Sequence, residues 1–193
     1  MDIVCVTSRK LCVDNFLTQL EKIAAAKPKF IILREKDLTE SEYTTLAADA
    51  LEICRRHNVP LVCNTFFNAA AKIKADGIHL PLSIAEKGGC SKFRLFGIST
   101  HSIADAVRAQ ELGADYITYG HVFATDCKRG LAPRGTDALK AVCSAVDIPV
   151  YGIGGITPLN AADVINSGAK GVCLMSSLMQ SKAPETLIKE FMK

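Results

Sequence analysis

Residues 149–177 read PVYGIGGITPLNAADVINSGAKGVCLMSS and contain one complete strand–helix–strand repeat. PVYGI (149–153) and GVCLM (171–175) are short apolar runs, which is typical of parallel strands covered on both faces. The segment between them predicts a helix that begins at Pro158 and ends at Gly168, since proline favours the first turn of a helix and glycine its end. The stretch therefore predicts a strand–helix–strand unit of a parallel sheet.

The same alternation runs through the rest of the chain. The further predicted strands are IVCVT (3–7), FIILR (30–34), PLVCN (60–64), GIHL (77–80), LFGIS (95–99) and YITYG (116–120). Segments such as SIADAVRAQELG, with a predicted cap at Ser102 and an end at Gly113, have helical spacing, whereas 83–93 permits barely one turn. Eight such units predict a compact (β/α)₈ TIM barrel forming a single domain, 1–193; an open doubly wound sheet is the alternative.

The composition limits the functional class. The chain is 49% hydrophobic and 22% charged, with a net charge of +3 and no Trp, so nothing indicates a nucleic-acid partner. No apolar run approaches the roughly 20 residues that cross a bilayer, and Asp2 stands where a signal peptide would be basic. We therefore predict a cytoplasmic protein without membrane partners, and we expect it to form a homo-oligomer. The eight cysteines lack metal-type spacing, which predicts reduced thiols and no metal site.

In a barrel of this kind, functional residues directly follow the strands. The candidates for substrate and phosphate binding carry charge, hydrogen-bonding groups or exposed amides: Arg34, Lys36, Asn64, Ser99, Thr125, Lys128, Gly154, Gly155, Ser176 and Ser177. The glycine-rich and serine-bearing loops after the last two strands predict a phosphate site, with a simple tight turn as the alternative. The cations Arg34 and Lys36 would suit an anionic substrate.

The histidines receive separate interpretations. His121 directly ends the sixth predicted strand, so its ring should project at the barrel mouth, where an imidazole can take and return a proton. A structural histidine is the alternative there. His101 is open between a cap neighbour and a functional residue, His57 is expected to face solvent at a helix end, and His79 is expected to be structural. Cys127 could be a nucleophile, but no base for it is identifiable.

The chain resembles the thiamine phosphate synthase/TenI superfamily over essentially its whole length. The resemblance runs through ILREK (32–36), VPLVCN (59–64), ADGIHL (75–80), GISTHS (97–102), ADYITYGHVFATDCKRGLAPRG (114–135) and IPVYGIGGITPLNAADVINSGAKGVCLMSS (148–177). It implies a (β/α)₈ barrel and a small-molecule thiazole phosphate as the substrate.

Two activities are implied within this superfamily. The synthase joins a pyrimidine diphosphate to a thiazole phosphate, releases pyrophosphate and uses Mg²⁺ held by acidic residues. This chain departs from the synthase pattern: Thr65 replaces an Asp, Ile32 replaces a Gln, and LPLSIAEK (80–87) lacks a further Asp. The pattern GHVF-x-TDCK-x-GL-x-x-RG at 120–135 instead resembles the TenI-type thiazole tautomerase, in which the histidine is the proposed acid–base group.

The resemblance therefore predicts an isomerase that aromatises a carboxythiazole phosphate tautomer by proton transfer through His121. This activity needs no cofactor, and Mg²⁺ enters only under the synthase alternative. A non-catalytic ligand-binding or regulatory protein of the same fold is the remaining alternative.

Overall fold

The computed structural model describes residues 1–88 and 93–192. Its strands are β1 (Asp2–Val6), β2 (Phe30–Leu33), β3 (Leu61–Asn64), β4 (Gly77–Pro81), β5 (Leu95–Thr100), β6 (Tyr116–Gly120), β7 (Val150–Ile153) and β8 (Gly171–Leu174). The strands are hydrogen-bonded in chain order and close into a barrel. This confirms the predicted (β/α)₈ barrel and rules out the open doubly wound sheet, which would have two edge strands.

The helices lie between the strands and after the last one. They are α1 (Phe16–Ala25), α2 (Glu40–Arg56), α3 (Phe67–Ile73), α4 (Leu82–Ala85), α5 (Ile103–Glu111), α6 (Gly135–Ala145), α7 (Ala161–Asn166), α8 (Ser176–Met179) and α9 (Pro184–Phe191). Short 3₁₀ turns follow β1 at Arg9–Leu11 and β6 at Asp126–Lys128. Within the described ranges, no helix is long and apolar enough to cross a membrane.

By their contacts, the described residues divide into two compact units. Unit one comprises 1–2, 80–88 and 96–173, and unit two comprises 3–79, 93–95 and 174–192. The single domain predicted for 1–193 stays a prediction, and each unit is described by itself below.

The strands of unit two show why their sequences are continuously apolar. Val6, Ile32 and Val62 lie in register on β1, β2 and β3, and all three are at most 4% exposed. Every residue of β2 and β3 is buried. Burial on both faces leaves no position for the polar half of an alternating pattern, as expected for parallel strands covered by helices.

Carboxylates hold the amino ends of neighbouring strands. In unit two, the Asp76 carboxylate accepts a hydrogen bond from the Leu61 N–H at 2.9 Å. In unit one, the Asp115 carboxylate accepts one from the Phe96 N–H at 2.7 Å. Each aspartate satisfies an amide at the start of a strand, which gives both residues a role in stability.

Most helix ends follow local sequence rules, and one departs from them. The Ser102 hydroxyl accepts from the Asp105 N–H at 3.0 Å, which confirms the predicted cap of α5. The prediction that a helix begins at Pro158 is wrong, because α7 begins at Ala161. The Asn160 side chain accepts from the Thr157 N–H at 2.8 Å and donates to the Gly155 carbonyl at 3.1 Å, so it holds this segment as a turn.

The segment 83–93 and His57 were also predicted from the sequence. In the short segment 83–93, α4 makes one turn, and positions 89–92 lie outside the described residues. His57 ends α2 as predicted, but it is half-buried and contacts the Glu21 carboxylate rather than facing only solvent. The cysteines in the described part of the chain are all free thiols.

Candidate active site

In unit one, the loops after β6 and β7 touch at two glycines. Gly154 and Gly155 have φ values of +100° and +66°, a region that glycine tolerates and other residues avoid. Phe123 donates its N–H to the Gly154 carbonyl at 3.0 Å, and a Cβ on Gly155 would lie 2.3 Å from the Ala124 carbonyl oxygen. Both glycines are therefore required by the backbone geometry of these two loops.

His121 lies at the end of β6, at the base of the loop that follows. Its Nε2 is 3.3 Å from the Leu131 carbonyl oxygen, so the tautomer protonated at Nε2 donates a hydrogen bond within the loop. The base of this loop is closed by the Arg134 N–H to the His121 carbonyl and by the Gly135 N–H to the Val122 carbonyl, both at 3.0 Å. These contacts give His121 a structural role in its own loop.

Arg134 lies beside these candidates, although the residue spacing did not single it out. Its Nε donates to the Gly120 carbonyl at 2.9 Å, and its guanidinium carbon lies 5.9 Å from the centre of the Tyr119 ring. His101 Nδ1 lies 3.0 Å from the same Gly120 carbonyl oxygen. Two side chains therefore meet at the carbonyl that precedes His121, which places His101 among the residues at the strand ends.

The remaining candidates of unit one lie in different environments. Thr125 precedes the 3₁₀ turn that contains Cys127 and Lys128, both exposed, and its carbonyl accepts from the Lys128 N–H at 3.0 Å. Ser99 is half-buried in β5, in register with Thr118 of β6. The loop after β6 thus presents an exposed ammonium group and an exposed thiol to solvent.

In unit two, the predicted cations Arg34 and Lys36 flank a buried acid. Glu35 is 3% exposed, Arg34 is half-buried and Lys36 is exposed. The Glu35 carboxylate accepts from the Thr7 hydroxyl at 2.7 Å, and the Thr7 hydroxyl oxygen accepts from the Arg34 N–H at 2.9 Å. Burial raises the pKa of Glu35 above its usual range, while its hydrogen bonds act in the opposite direction.

Asn64 ends β3 with its side chain engaged by neighbours. Its Nδ2 donates to the His79 carbonyl at 3.0 Å, and its Oδ1 accepts from the Thr65 hydroxyl at 3.1 Å. The Asn64 N–H donates to the Tyr43 hydroxyl at 3.0 Å. His79 itself is buried, and desolvation lowers its pKa to about 3, so its imidazole is neutral near pH 7. This agrees with a structural histidine in β4.

The predicted phosphate site combines two loops that belong to different units. Gly154 and Gly155 lie in unit one, whereas Ser176 and Ser177 begin α8 in unit two. Gln19 anchors α8 and the residues after it, because its Nε2 donates to the Leu178 and Ser181 carbonyls, each at 2.8 Å. A shared phosphate site at these loops stays a prediction.

The described residues do not fit a resident Mg²⁺ ion. Across 1–88 and 93–192, no three or more His, Cys, Asp or Glu side chains are grouped to hold a metal. Thr65 offers no carboxylate after Asn64, and both Glu35 oxygens accept hydrogen bonds from within the protein. Mg²⁺ prefers octahedral oxygen ligands that include carboxylates, and this set does not provide them.

Known proteins similar to this chain share both its fold and most of its length. A family model described as "Thiamine monophosphate synthase" matches residues 3–178. A thiamine-phosphate synthase of Chlorobium phaeobacteroides is 33% identical over 94% of this chain and 90% of the relative. A thiamine-phosphate synthase of Methanobrevibacter smithii is 32% identical over 99% of this chain and 95% of the relative. Among solved structures, a thiamine phosphate pyrophosphorylase from Pyrococcus furiosus has the same fold, with a TM-score of 0.86 at 23% identity, covering 99% of this chain and 93% of that one.

These relatives show that the predicted isomerase is wrong. The isomerase interpretation depended on the loop at 120–135 and on His121, whereas whole-chain similarity is to proteins named synthases. The contact of His121 with Leu131 shows that a histidine here can serve its loop, so its presence does not specify proton transfer. The predicted superfamily itself is confirmed, and the chain belongs to the thiamine monophosphate synthase family.

Proposed function

We propose that this protein is a thiamine-phosphate synthase, which joins a pyrimidine diphosphate to a thiazole phosphate and releases pyrophosphate. The observation that carries the proposal is the similarity to synthases at 32–33% identity over nearly the whole chain. In this reaction the carbon–oxygen bond to the diphosphate breaks, and its electron pair leaves with the pyrophosphate. The lone pair of the thiazole nitrogen forms the new bond to that carbon. No proton moves between carbon atoms, so the step does not need His121 as an acid or base.

The chemical requirement is to stabilise negative charge on the departing pyrophosphate. Preorganised cations and hydrogen-bond donors serve this purpose, and arginine is suited to paired phosphate oxygens. Arg34 and Lys36 follow β2 in unit two, and we assign them to the diphosphate. Lys128 is exposed in the loop after β6 of unit one and supplies a further cation.

Neutral groups would orient the two substrates. The hydroxyls of Ser99 and Thr125 and the amides of Gly154 and Gly155 are the candidates in unit one. In unit two, the hydroxyls of Ser176 and Ser177 are candidates for phosphate oxygens, and Asn64 would have to exchange part of its present hydrogen bonding to reach a ligand. The homo-oligomer and the cytoplasmic location also stay predictions.

We also propose that protein side chains hold no divalent ion before the substrates bind. The family resemblance implies Mg²⁺, but Thr65 and the engaged Glu35 leave the strand ends of unit two without a suitable carboxylate pair. Titration of the substrate-free protein with Mg²⁺ alone tests this. We expect no saturable binding at millimolar concentrations, and a single saturable site would overturn it.

Removing one cation at a time tests whether Arg34 and Lys36 bind the diphosphate. We expect Arg34→Gln and Lys36→Gln each to lower kcat/KM for the pyrimidine diphosphate by roughly 10²-fold, the usual effect of losing one preorganised charge-stabilising group. The matched control is Lys72→Gln, which removes the same charge from an exposed position on α3 of the same unit. Activity that falls equally in all three variants would show a general charge effect and reject the assignment.

A further inference from the structure

Thr7 joins the end of β1 to the residues that follow β2. The residue is fully buried, and its N–H donates to the Ile32 carbonyl at 2.9 Å, continuing the ladder between the two strands. Its hydroxyl oxygen accepts the Arg34 N–H at 2.9 Å, and the same hydroxyl donates to Glu35 Oε1 at 2.7 Å. One hydroxyl group thus fixes two consecutive residues of the loop after β2.

Glu35 fixes the loop from the other side. Its carboxylate accepts the Thr7 hydroxyl and shares the Arg9 N–H between its two oxygens, each at 3.0 Å. A buried carboxylate needs such partners, because an unpaired buried charge is strongly unfavourable. The Arg9 guanidinium lies 3.7 Å away and adds an attractive charge. The carboxylate therefore has one well-defined position between the two strand ends.

A second link between the same segments lies at the surface. The Arg9 guanidinium donates to both oxygens of Asp37 at 2.8–2.9 Å, and Lys10 Nζ is 2.9 Å from Asp37 Oδ2. Asp37 is 39% exposed, and exposed ion pairs contribute little to stability. The Thr7–Glu35 pair differs from this surface link in being buried and in holding the Arg34 amide directly.

We propose that Thr7 and Glu35 are positioning residues for anion binding by Arg34 and Lys36. The inference rests on the proposed function, because it takes these two cations as the groups that hold the diphosphate. Holding the Arg34 amide and the Glu35 carboxylate fixes the backbone from which both cations project. A loop ordered in advance binds an anion more tightly than one that must become ordered on binding.

Electrostatics and positioning predict opposite results when Glu35 is neutralised. A negative charge next to an anion site repels the anion, so charge alone predicts that Glu35→Gln tightens binding. If Glu35 positions the cations, the same substitution weakens binding although the protein becomes more positive. Asp37→Asn removes an equal charge from the same loop and keeps both hydrogen bonds of the Thr7 hydroxyl, so it serves as the matched control.

The test is calorimetric titration of the full chain with inorganic pyrophosphate. We expect Thr7→Val to weaken binding by roughly 10-fold or more, since small displacements of binding groups have effects of this size. Thr7→Ser keeps the hydroxyl and should bind within about twofold of the parent chain. Glu35→Gln should also weaken binding, whereas Asp37→Asn should leave it unchanged or tighten it. Thermal unfolding of each variant identifies a temperature at which all of them are folded, and the titrations are carried out at that temperature.

The outcomes separate positioning from a purely structural role. A purely structural role would lower the melting temperature of Thr7→Val and Glu35→Gln while the folded protein kept the parent Kd, and this result would overturn the proposal. A parent chain that does not bind pyrophosphate would overturn it as well. A parent chain that binds pyrophosphate but forms no thiamine phosphate would reject the synthase; weaker binding by Thr7→Val would then still support the positioning role.

Discussion

Gly154 lies directly against His121: a Cβ atom built on Gly154 would come within 2.3 Å of the His121 Cβ. Gly154 also has a φ of +100°, a backbone angle that residues with a side chain rarely adopt. The size of residue 154 therefore decides whether the loop after β6 can keep its position beside the loop after β7.

The first prediction concerns this contact. Gly154→Ala should destabilise the protein for two reasons. An L-residue in the left-handed backbone region costs roughly 1–2 kcal/mol, and the overlap with His121 adds about 1–3 kcal/mol. Gly130→Ala is the control, because Gly130, in the loop after β6, has a φ of +82° but nothing within 4 Å of the added Cβ. Denaturant unfolding measures both variants. Equal losses of unfolding free energy would show that the loops can separate at no cost.

Thr65 provides a second prediction, because it has a φ of +71° despite its branched Cβ. Its conformation is held by its N–H to the His79 carbonyl at 3.1 Å and by the Phe67 N–H to its own carbonyl at 2.9 Å. Asparagine tolerates this backbone region better than threonine. Thr65→Asn should therefore raise the free energy of unfolding by about 1 kcal/mol.

Two substitutions at the same position separate the causes. Thr65→Ser removes the branch but keeps the hydroxyl that donates to Asn64, whereas Thr65→Val keeps the branch and removes the hydroxyl. Relief of strain predicts that serine, which keeps the hydroxyl bond, does not destabilise the protein, whereas valine keeps the strain, loses the bond and should destabilise it. Asparagine and valine both lack this hydroxyl, so a Thr65→Asn variant no more stable than Thr65→Val would show that the backbone there is not strained.

The third prediction is the dependence of stability on pH that arises from His79. Desolvation lowers the pKa of this histidine from 6.5 to about 3 in the folded protein. Above pH 6.5 the imidazole is neutral in both states, and its contribution to stability is complete. As the pH falls from 6.5 towards 3, the unfolded chain binds a proton that the folded chain excludes. Stability should therefore fall by up to about 1.4 kcal/mol per pH unit in this window.

A non-titrating variant isolates this contribution. His79→Gln shares every other ionisable group with the parent chain, so the difference between their unfolding free energies depends on pH only through residue 79. We expect the difference to be constant above pH 7. Below pH 6, the variant should become steadily more stable relative to the parent chain. A difference that stays constant down to pH 4 would mean that His79 is protonated in the folded protein.

Much of the fold could be predicted from short-range patterns. The continuous burial of Ile32 and Val62 on both faces of the sheet appears in the sequence as uninterrupted apolar runs, and Ser102 has the residue type and spacing of a helix cap. Pro158 misled the prediction because the turn is decided by the side chain of Asn160, which bonds to Thr157 and Gly155. The helix propensity of single residues does not predict such a side-chain contact.

The candidate site was less predictable, since its contacts join residues distant in the sequence. Arg34 and Lys36 could be singled out by their position after a strand, but the Thr7 hydroxyl that holds Arg34 comes from another strand. Likewise, Arg134 reaches Gly120 only because the intervening loop folds back. The isomerase prediction relied on His121, yet one side chain does not specify a reaction without the other residues of its site.

The synthase activity is tested most directly by a coupling assay with the purified chain, a pyrimidine diphosphate and a thiazole phosphate, with Mg²⁺ supplied. Thiamine phosphate and pyrophosphate are quantified in the same sample over time. We expect both products to appear in equal amounts, at a rate proportional to protein concentration and lowered by Arg34→Gln. Absence of thiamine phosphate, or pyrophosphate released without it, from a folded chain that binds both substrates would contradict the assignment as a synthase.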